Sequence, residues 1–365
     1  MRLPQKMKSA GIHAILDGVA VVILAVVLYL IWSKGFSGVR TNGNRYPAES
    51  SGVSEDEIHR RETQNADSPV PTEYQTPPDI ENPDNDLVTT PEASASATPD
   101  KYNISDKIVV IDTSSSGSGY ISVKLTTEPE RELRLQLFTP DTKYYEYRIG
   151  KGLFNTFALS GGDGMYIAEV YRHIERNRYE RIAASTFDVV LDNEFAPFLH
   201  PNQYVNYSKD CDAARKATKL TEGLDDTVGK INAIYRYVVE NITYDKELAA
   251  AMRRGEHYGY IPDVDDVLER GRGVAFDFVA LLSAMLRSQG IPSKIVIGNA
   301  GSAYHTWVSV YSGTPGWIDD DYYFSGDSWV RLDPTFISTA STDEERSTIV
   351  EITKDETYYD AIYYY

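Results

Sequence analysis

The nineteen residues 14–32, AILDGVAVVILAVVLYLIW, are apolar apart from Asp17, a run close to the roughly 20 residues that cross a hydrocarbon core. The run is longer than the apolar region of a signal peptide, and no small-x-small cleavage site follows it. It predicts an uncleaved signal anchor over 13–34, with residues 1–12 in the cytoplasm and the rest of the chain outside. Arg2, Lys6 and Lys8 precede the run and Lys34, Arg40 and Arg45 follow it, so the flanking charge bias is weak. Asp17 sits near the cytoplasmic end, where a carboxylate costs least. Over 35–104 the apolar pattern vanishes. Eight prolines fall between Pro47 and Pro99 among Ser, Thr, Asp, Glu and Ala. Such a segment buries too little surface to offset chain entropy and reads as a tether.

Over 105–195 the pattern turns to alternation. Ile121, Val123 and Leu125 alternate with polar neighbours, as do Leu133, Leu135 and Leu137, then Tyr166, Ala168 and Val170, then Phe187, Val189 and Leu191. Turn signals at 114–119, 139–141 and 160–164 separate these runs, which predicts a small all-β, sandwich-like domain used for packing or spacing. From 196 the period becomes helical. Val228, Ile231, Ile234, Tyr235 and Val238 predict a helix over 225–240, after a shorter one near 210–220. Another is predicted at 262–269 with Pro262 as its first residue. Ala275, Val279, Leu282 and Leu286 share one face of a further helix, which Gly290 and Pro292 end. Strands are predicted at 293–299, 304–311 and 328–333. Helices followed by an antiparallel sheet make 196–340 an α+β domain. Residues 341–365 read as an acidic, Tyr-rich tail whose aromatics add an edge strand.

Composition narrows the partners. A formal charge of −18 argues against nucleic acid, which requires clustered Lys and Arg. Cys211 is the only cysteine, so no intramolecular disulfide forms and cysteine usage does not report a compartment. Its place in the predicted helix makes it a small apolar residue rather than a nucleophile.

The candidate chemistry lies in three pieces: GRGVAFDFVALLSAMLRSQGIPSKIVI at 271–297, YHTW at 304–307 and WVRLDPTF at 329–336. In this order and spacing they resemble the core of the transglutaminase-like superfamily, of papain-like fold, whose members use a Cys–His–Asp triad. FAPFLHPNQYV at 195–205 and VVENITYD at 238–245 resemble bacterial membrane-anchored members. The resemblance covers about 196–340. It implies a papain-like transglutaminase core, no metal or cofactor, and transamidation, deamidation or peptide cleavage as the family's chemistry. His305 and Asp333 take the His and Asp positions, and the Cys position is held by Ala275. A cysteine opening a helix gains from the helix dipole and from a nearby His, which favour the thiolate. A methyl group supplies no nucleophile. Asp277 reads as structural, Trp307 as core, and Tyr260 as an oxyanion donor only by analogy.

Three readings follow. The first is a membrane-anchored, extracytoplasmic pseudoenzyme that binds peptide or protein chains, including cell-wall peptides. The second is an active Cys–His–Asp peptidase or transglutaminase seen here as a Cys-to-Ala variant, which the retained His305 and Asp333 favour. The third is a structural surface spacer.

Overall fold

The computed structural model describes residues 104–105, 108–150, 154–176, 178–257 and 259–365. The predicted anchor at 14–32 and the tether up to residue 103 lie outside the described residues. Among the described residues no helix is long and apolar enough to cross a membrane.

Among the described residues the alternating region forms eight strands: β1 (Ile104–Ser105), β2 (Val109–Asp112), β3 (Tyr120–Leu125), β4 (Leu133–Phe138), β5 (Tyr144–Ile149), β6 (Phe154–Ala158), β7 (Gly164–Glu175) and β8 (Arg178–Val189). They make an antiparallel five-stranded sheet in the order β1-β8-β7-β4-β5 and a three-stranded sheet in the order β2-β3-β6. Period two explains both faces. Leu133, Leu135 and Leu137 are fully buried. Arg134 and Gln136, one residue out of step, hydrogen-bond Glu146 of the neighbouring strand. Tyr147 of β5 packs on Phe157 of β6 with ring centroids 4.7 Å apart, which joins the two sheets.

The helical region begins with α1 (Asp212–Leu220) and α2 (Thr227–Asn241), then a parallel pair of two-residue strands, β9 (Thr243–Tyr244) and β10 (Arg272–Gly273), with α3 (Lys246–Arg253) and α4 (Val264–Arg270) between them. α2 starts where Asp226 accepts from Gly229 N, and it buries the stripe Val228, Ile231, Ile234, Tyr235 and Val238. α4 starts later than Pro262 because Asp263 is the cap, its carboxylate accepting from the N–H groups of Asp265 and Asp266. A side-chain acceptor satisfies orphan N–H groups, which a proline ring does not do. α3 had no sequence signal beyond its Asp245 cap and an Ala-rich run.

α5 (Ala275–Ser288) is buried at every position from Phe276 to Arg287. A helix apolar on all sides belongs at the centre of a fold. It packs against α1, α2 and α4 and against β11 (Ser293–Ala300) and β12 (Ala303–Tyr311). Asp277 and Arg287 are its buried charged residues. Arg287 is 3% exposed, and its guanidinium donates to the carbonyls of His200, Ser293 and Tyr365.

Residues 312–327, between the strands predicted at 304–311 and 328–333, contain a hairpin of β13 (Gly316–Ile318) and β14 (Tyr322–Phe324). Next come β15 (Trp329–Leu332), α6 (Pro334–Ser338), α7 (Asp343–Lys354) and β16 (Tyr359–Tyr364). The antiparallel sheet has the order β15-β12-β11-β16. β16 also reaches the first part of the chain. Tyr363 lies 5.3 Å and Tyr365 5.4 Å from the ring of Tyr145, and Tyr365 stands 4.7 Å from Tyr204, which in turn packs on Phe276 of α5. The β-rich part and the helical part therefore share one aromatic seam.

Candidate functional site

Ala275 is the first residue of α5, and Val274 is its cap in extended conformation. Valine has no acceptor, so the cap is built from inside the helix. Asp277, fully buried, turns back and accepts from Val274 N at 2.7 Å, the carboxylate half of a capping box. Gly273 makes this possible, because a Cβ there would lie 2.4 Å from Asp277 Cβ. The Tyr260 hydroxyl donates to the other carboxylate oxygen at 2.6 Å and accepts from Arg270 at 2.8 Å. Tyr260 is thus committed to Asp277. Burial, partly opposed by the Tyr260 bond, the Arg270 charge and the Val274 N–H, pushes the Asp277 carboxyl up to about 6.

His305 lies on β12, opposite Gly298 of β11. β15 pairs with β12 from Trp329 to Leu332, so the chain leaves the sheet one residue before Asp333. Asp333 is therefore the cap of α6 rather than a strand residue, its Oδ1 accepting from Phe336 N at 3.0 Å. Its Oδ2 lies 2.7 Å from His305 Nε2. Asp333 is fully buried and the His305 side chain is 8% exposed. The Phe336 ring stacks on the imidazole, with centroids 4.4 Å apart and planes 9° apart. The same short α6 supplies both the carboxylate and this stacking ring, so His305 is fixed by a hydrogen bond and by a covered face.

Sequence reasoning missed a third partner. The Tyr359 hydroxyl, on β16, donates to Asp333 Oδ2 at 2.9 Å. Burial first, then the charge and hydrogen bond of Asp333, push its own ionisation far above the usual tyrosine range. Tyr359 meets Trp307 edge-on at 4.8 Å, and the Arg331 guanidinium lies over its ring at 4.2 Å. Together with Val296 and Ala300, Trp307 and Tyr359 form a small second apolar cluster. The acidic, tyrosine-rich composition of 341–365 gave no sign of which ring would point inward.

Ala275 stands at the head of α5, with only a methyl group to offer. α6 packs against α2, α5 and β9, and β9 is the strand beside the one that leads into Ala275. Cys211 is not within a helix. It caps α1, with Sγ accepting from Ala214 N at 3.4 Å. Burial raises its thiol pKa, so it is a poor nucleophile. Among the described residues no group of three or more His, Cys, Asp or Glu side chains is arranged to hold a metal ion.

Residues 214–334 match the model of the Transglutaminase-like superfamily. Among solved structures the chain is similar to a cysteine-protease candidate from Cytophaga hutchinsonii, at 13% identity over 60% of this chain and 74% of that one, with a TM-score of 0.30. A protease candidate from Parabacteroides distasonis ATCC 8503 gives 11% identity, coverage of 58% and 62%, and a TM-score of 0.25. Red sea bream transglutaminase gives 14%, 65% and 54%, with a TM-score of 0.22. No curated protein matches. The segment that carries Ala275, His305 and Asp333 is a transglutaminase-like superfamily domain.

Proposed function

We propose that this chain is a membrane-anchored, extracytoplasmic pseudoenzyme whose transglutaminase-like domain binds peptide chains, cell-wall peptides among them, without cleaving or transamidating them. One observation carries the reading. The first residue of α5, onto which the resemblance maps the family's nucleophile, is Ala275, while His305 and Asp333 keep a 2.7 Å contact. Without a sulfur no acyl-enzyme forms. A site that keeps its imidazole and its helix N-terminus still has groups that orient a peptide carbonyl. The apolar run 14–32 and the Pro-rich tether support a location outside the cell. Protease added to intact cells should release a fragment beginning near residue 105, and complete protection contradicts that location.

The deciding experiment restores the missing atom. Ala275→Cys in a Cys211→Ser background is alkylated with iodoacetamide as a function of pH, with and without His305→Ala. A thiol poised beside His305 reacts with a midpoint well below the free value of about 8.5 and returns to it in His305→Ala. A midpoint near 8.5 in both overturns the mapping of residue 275 onto the nucleophile position. In parallel, a fluorescent Gln- and Lys-containing peptide should bind the unaltered chain and remain uncleaved, with no ammonia released.

A second reading has its own support. The His305–Asp333 pair is retained with Asp333 fully buried, which suits an active Cys–His–Asp enzyme, and the unaltered chain is then its Cys-to-Ala form. A native coding sequence with a Cys codon at position 275 favours that reading, and one with an Ala codon favours the first.

A further inference from the structure

The Asp333 carboxylate is held at both ends. Phe336 N occupies Oδ1, and Oδ2 receives both His305 Nε2 and the Tyr359 hydroxyl. A carboxylate tied through one oxygen can still rotate about its Cβ–Cγ bond. Apart from the imidazole itself, Phe336 N holds Oδ1 and the Tyr359 hydroxyl holds Oδ2, so Tyr359 is the donor that fixes the Oδ2 side of the plane independently of His305, and the plane decides whether a lone pair points at the imidazole N–H. The bond that Asp333 makes to Nε2 in turn selects the ring tautomer. Tyr359 lies on β16, beyond the segment that matches the superfamily.

We propose that Tyr359 is a positioning residue of the His305–Asp333 pair, so that β16 is part of the site rather than an edge strand that merely completes a sheet. Three features support the hydroxyl in this role. It is a permanent donor, because burial and the neighbouring carboxylate keep it protonated. Its ring is held on two sides, edge-on to Trp307 and under the Arg331 guanidinium. Its strand can approach only because residue 298 is glycine. A Cβ there would lie 2.0 Å from the Asp360 carbonyl oxygen and 2.9 Å from Trp307. The register slips beside this glycine, between Ile297 and Gly298, and that slip sets which residues of β16 face the site.

The plainer account is that Tyr359 fills space. It is 8% exposed and belongs to an apolar cluster. A phenylalanine would fill the same space, so Tyr359→Phe separates the two accounts. The inference rests on the reading of His305 and Asp333 as the working pair, but not on whether a peptide binds.

The test is ¹⁵N NMR of the full chain labelled at histidine, with the His305 signal identified by its loss in His305→Gln. Above its titration, His305 should appear as the Nε2–H tautomer in the unaltered chain. Tyr359→Phe should shift the tautomer ratio toward Nδ1–H by about fivefold, the factor that a net hydrogen bond of about 1 kcal/mol converts to. Tyr358→Phe, at a half-buried neighbour, should leave it unchanged. An unchanged ratio in Tyr359→Phe, or one moved further toward Nε2–H, overturns the proposal. The thiol experiment reads separately. If the new thiol at residue 275 is not poised while the tautomer still shifts, the functional reading falls and the role of Tyr359 stands. If the thiol is poised while Tyr359→Phe leaves the tautomer unmoved, the role of Tyr359 falls and the functional reading stands.

Discussion

Asp277 offers a quantitative test of the helix start on which the site is built. Replacing it with asparagine keeps the shape and removes the titration. The folded carboxyl is pushed from 3.8 up to about 6, chiefly by burial. A tenfold change in proton affinity is worth about 1.4 kcal/mol, so the full difference is about 3 kcal/mol. The folded state holds this proton more tightly than the unfolded chain does. The stabilisation is therefore fully present below pH 3.8 and is lost as pH rises through about 6. Other carboxyl groups titrate in the same range, so the informative quantity is the difference between the two proteins. Unfolding free energies from urea melts, followed by tryptophan fluorescence, should show the unaltered protein gaining about 2 kcal/mol relative to Asp277→Asn between pH 7 and pH 4. The opposing forces are explicit: Tyr260 and Val274 N donate to the carboxylate, and Arg270 lies 3.3 Å away. If they outweigh burial, the difference is flat or runs the other way. Either result refutes the argument that desolvation governs this carboxyl.

Two further substitutions probe the frame around the site. Gly298→Ala should displace β16, because the new methyl would lie 2.0 Å from the Asp360 oxygen, at a cost of roughly 2–4 kcal/mol. Hydrogen exchange of the 359–364 amides should accelerate while that of β4 and β7 stays protected. Arg287→Met removes the guanidinium donor from the oxygens of His200, Ser293 and Tyr365, of which Tyr365 keeps the Ile295 N–H. A loss of roughly 2–5 kcal/mol is expected in urea melts, since each unsatisfied group costs about 1–3 kcal/mol. A loss below about 1 kcal/mol would show that water replaces the guanidinium.

The helices that carry the superfamily's signature were legible because burial repeats along them. The Val228–Val238 stripe, the apolar run after Ala275, and Gly290 with its left-handed φ of 74° all lie in short sequence windows. The alternation at Leu133–Leu137 marked a strand for the same reason. Contacts made across distance were not legible. Nothing near Asp263 announced that it, rather than Pro262, would start α4. Nothing near residue 359 pointed to a carboxylate at 333. Asp333 itself was expected at a strand end and instead caps a helix, because the proline after it suits the first helical turn. The stretch 312–327, between two predicted strands, hid a hairpin whose sharp reversal uses Asp319 and Asp320 at positive φ, a conformation more often given to glycine.

The pairing of β11 with β16 also bears on the order of assembly during synthesis. Val296 pairs with Tyr364, and Ile295 exchanges both of its backbone hydrogen bonds with Tyr365. β11 and β12 can form a hairpin as soon as both have left the ribosome, because they are adjacent in sequence. The other edge of β11 stays open until the whole of α6 and α7 has followed. Long-range strand pairing is the slow part of folding, and an uncovered edge invites association with other chains. The Asp333–Tyr359 bond cannot close before that interval ends, so the site is among the last features of the domain to take its final geometry.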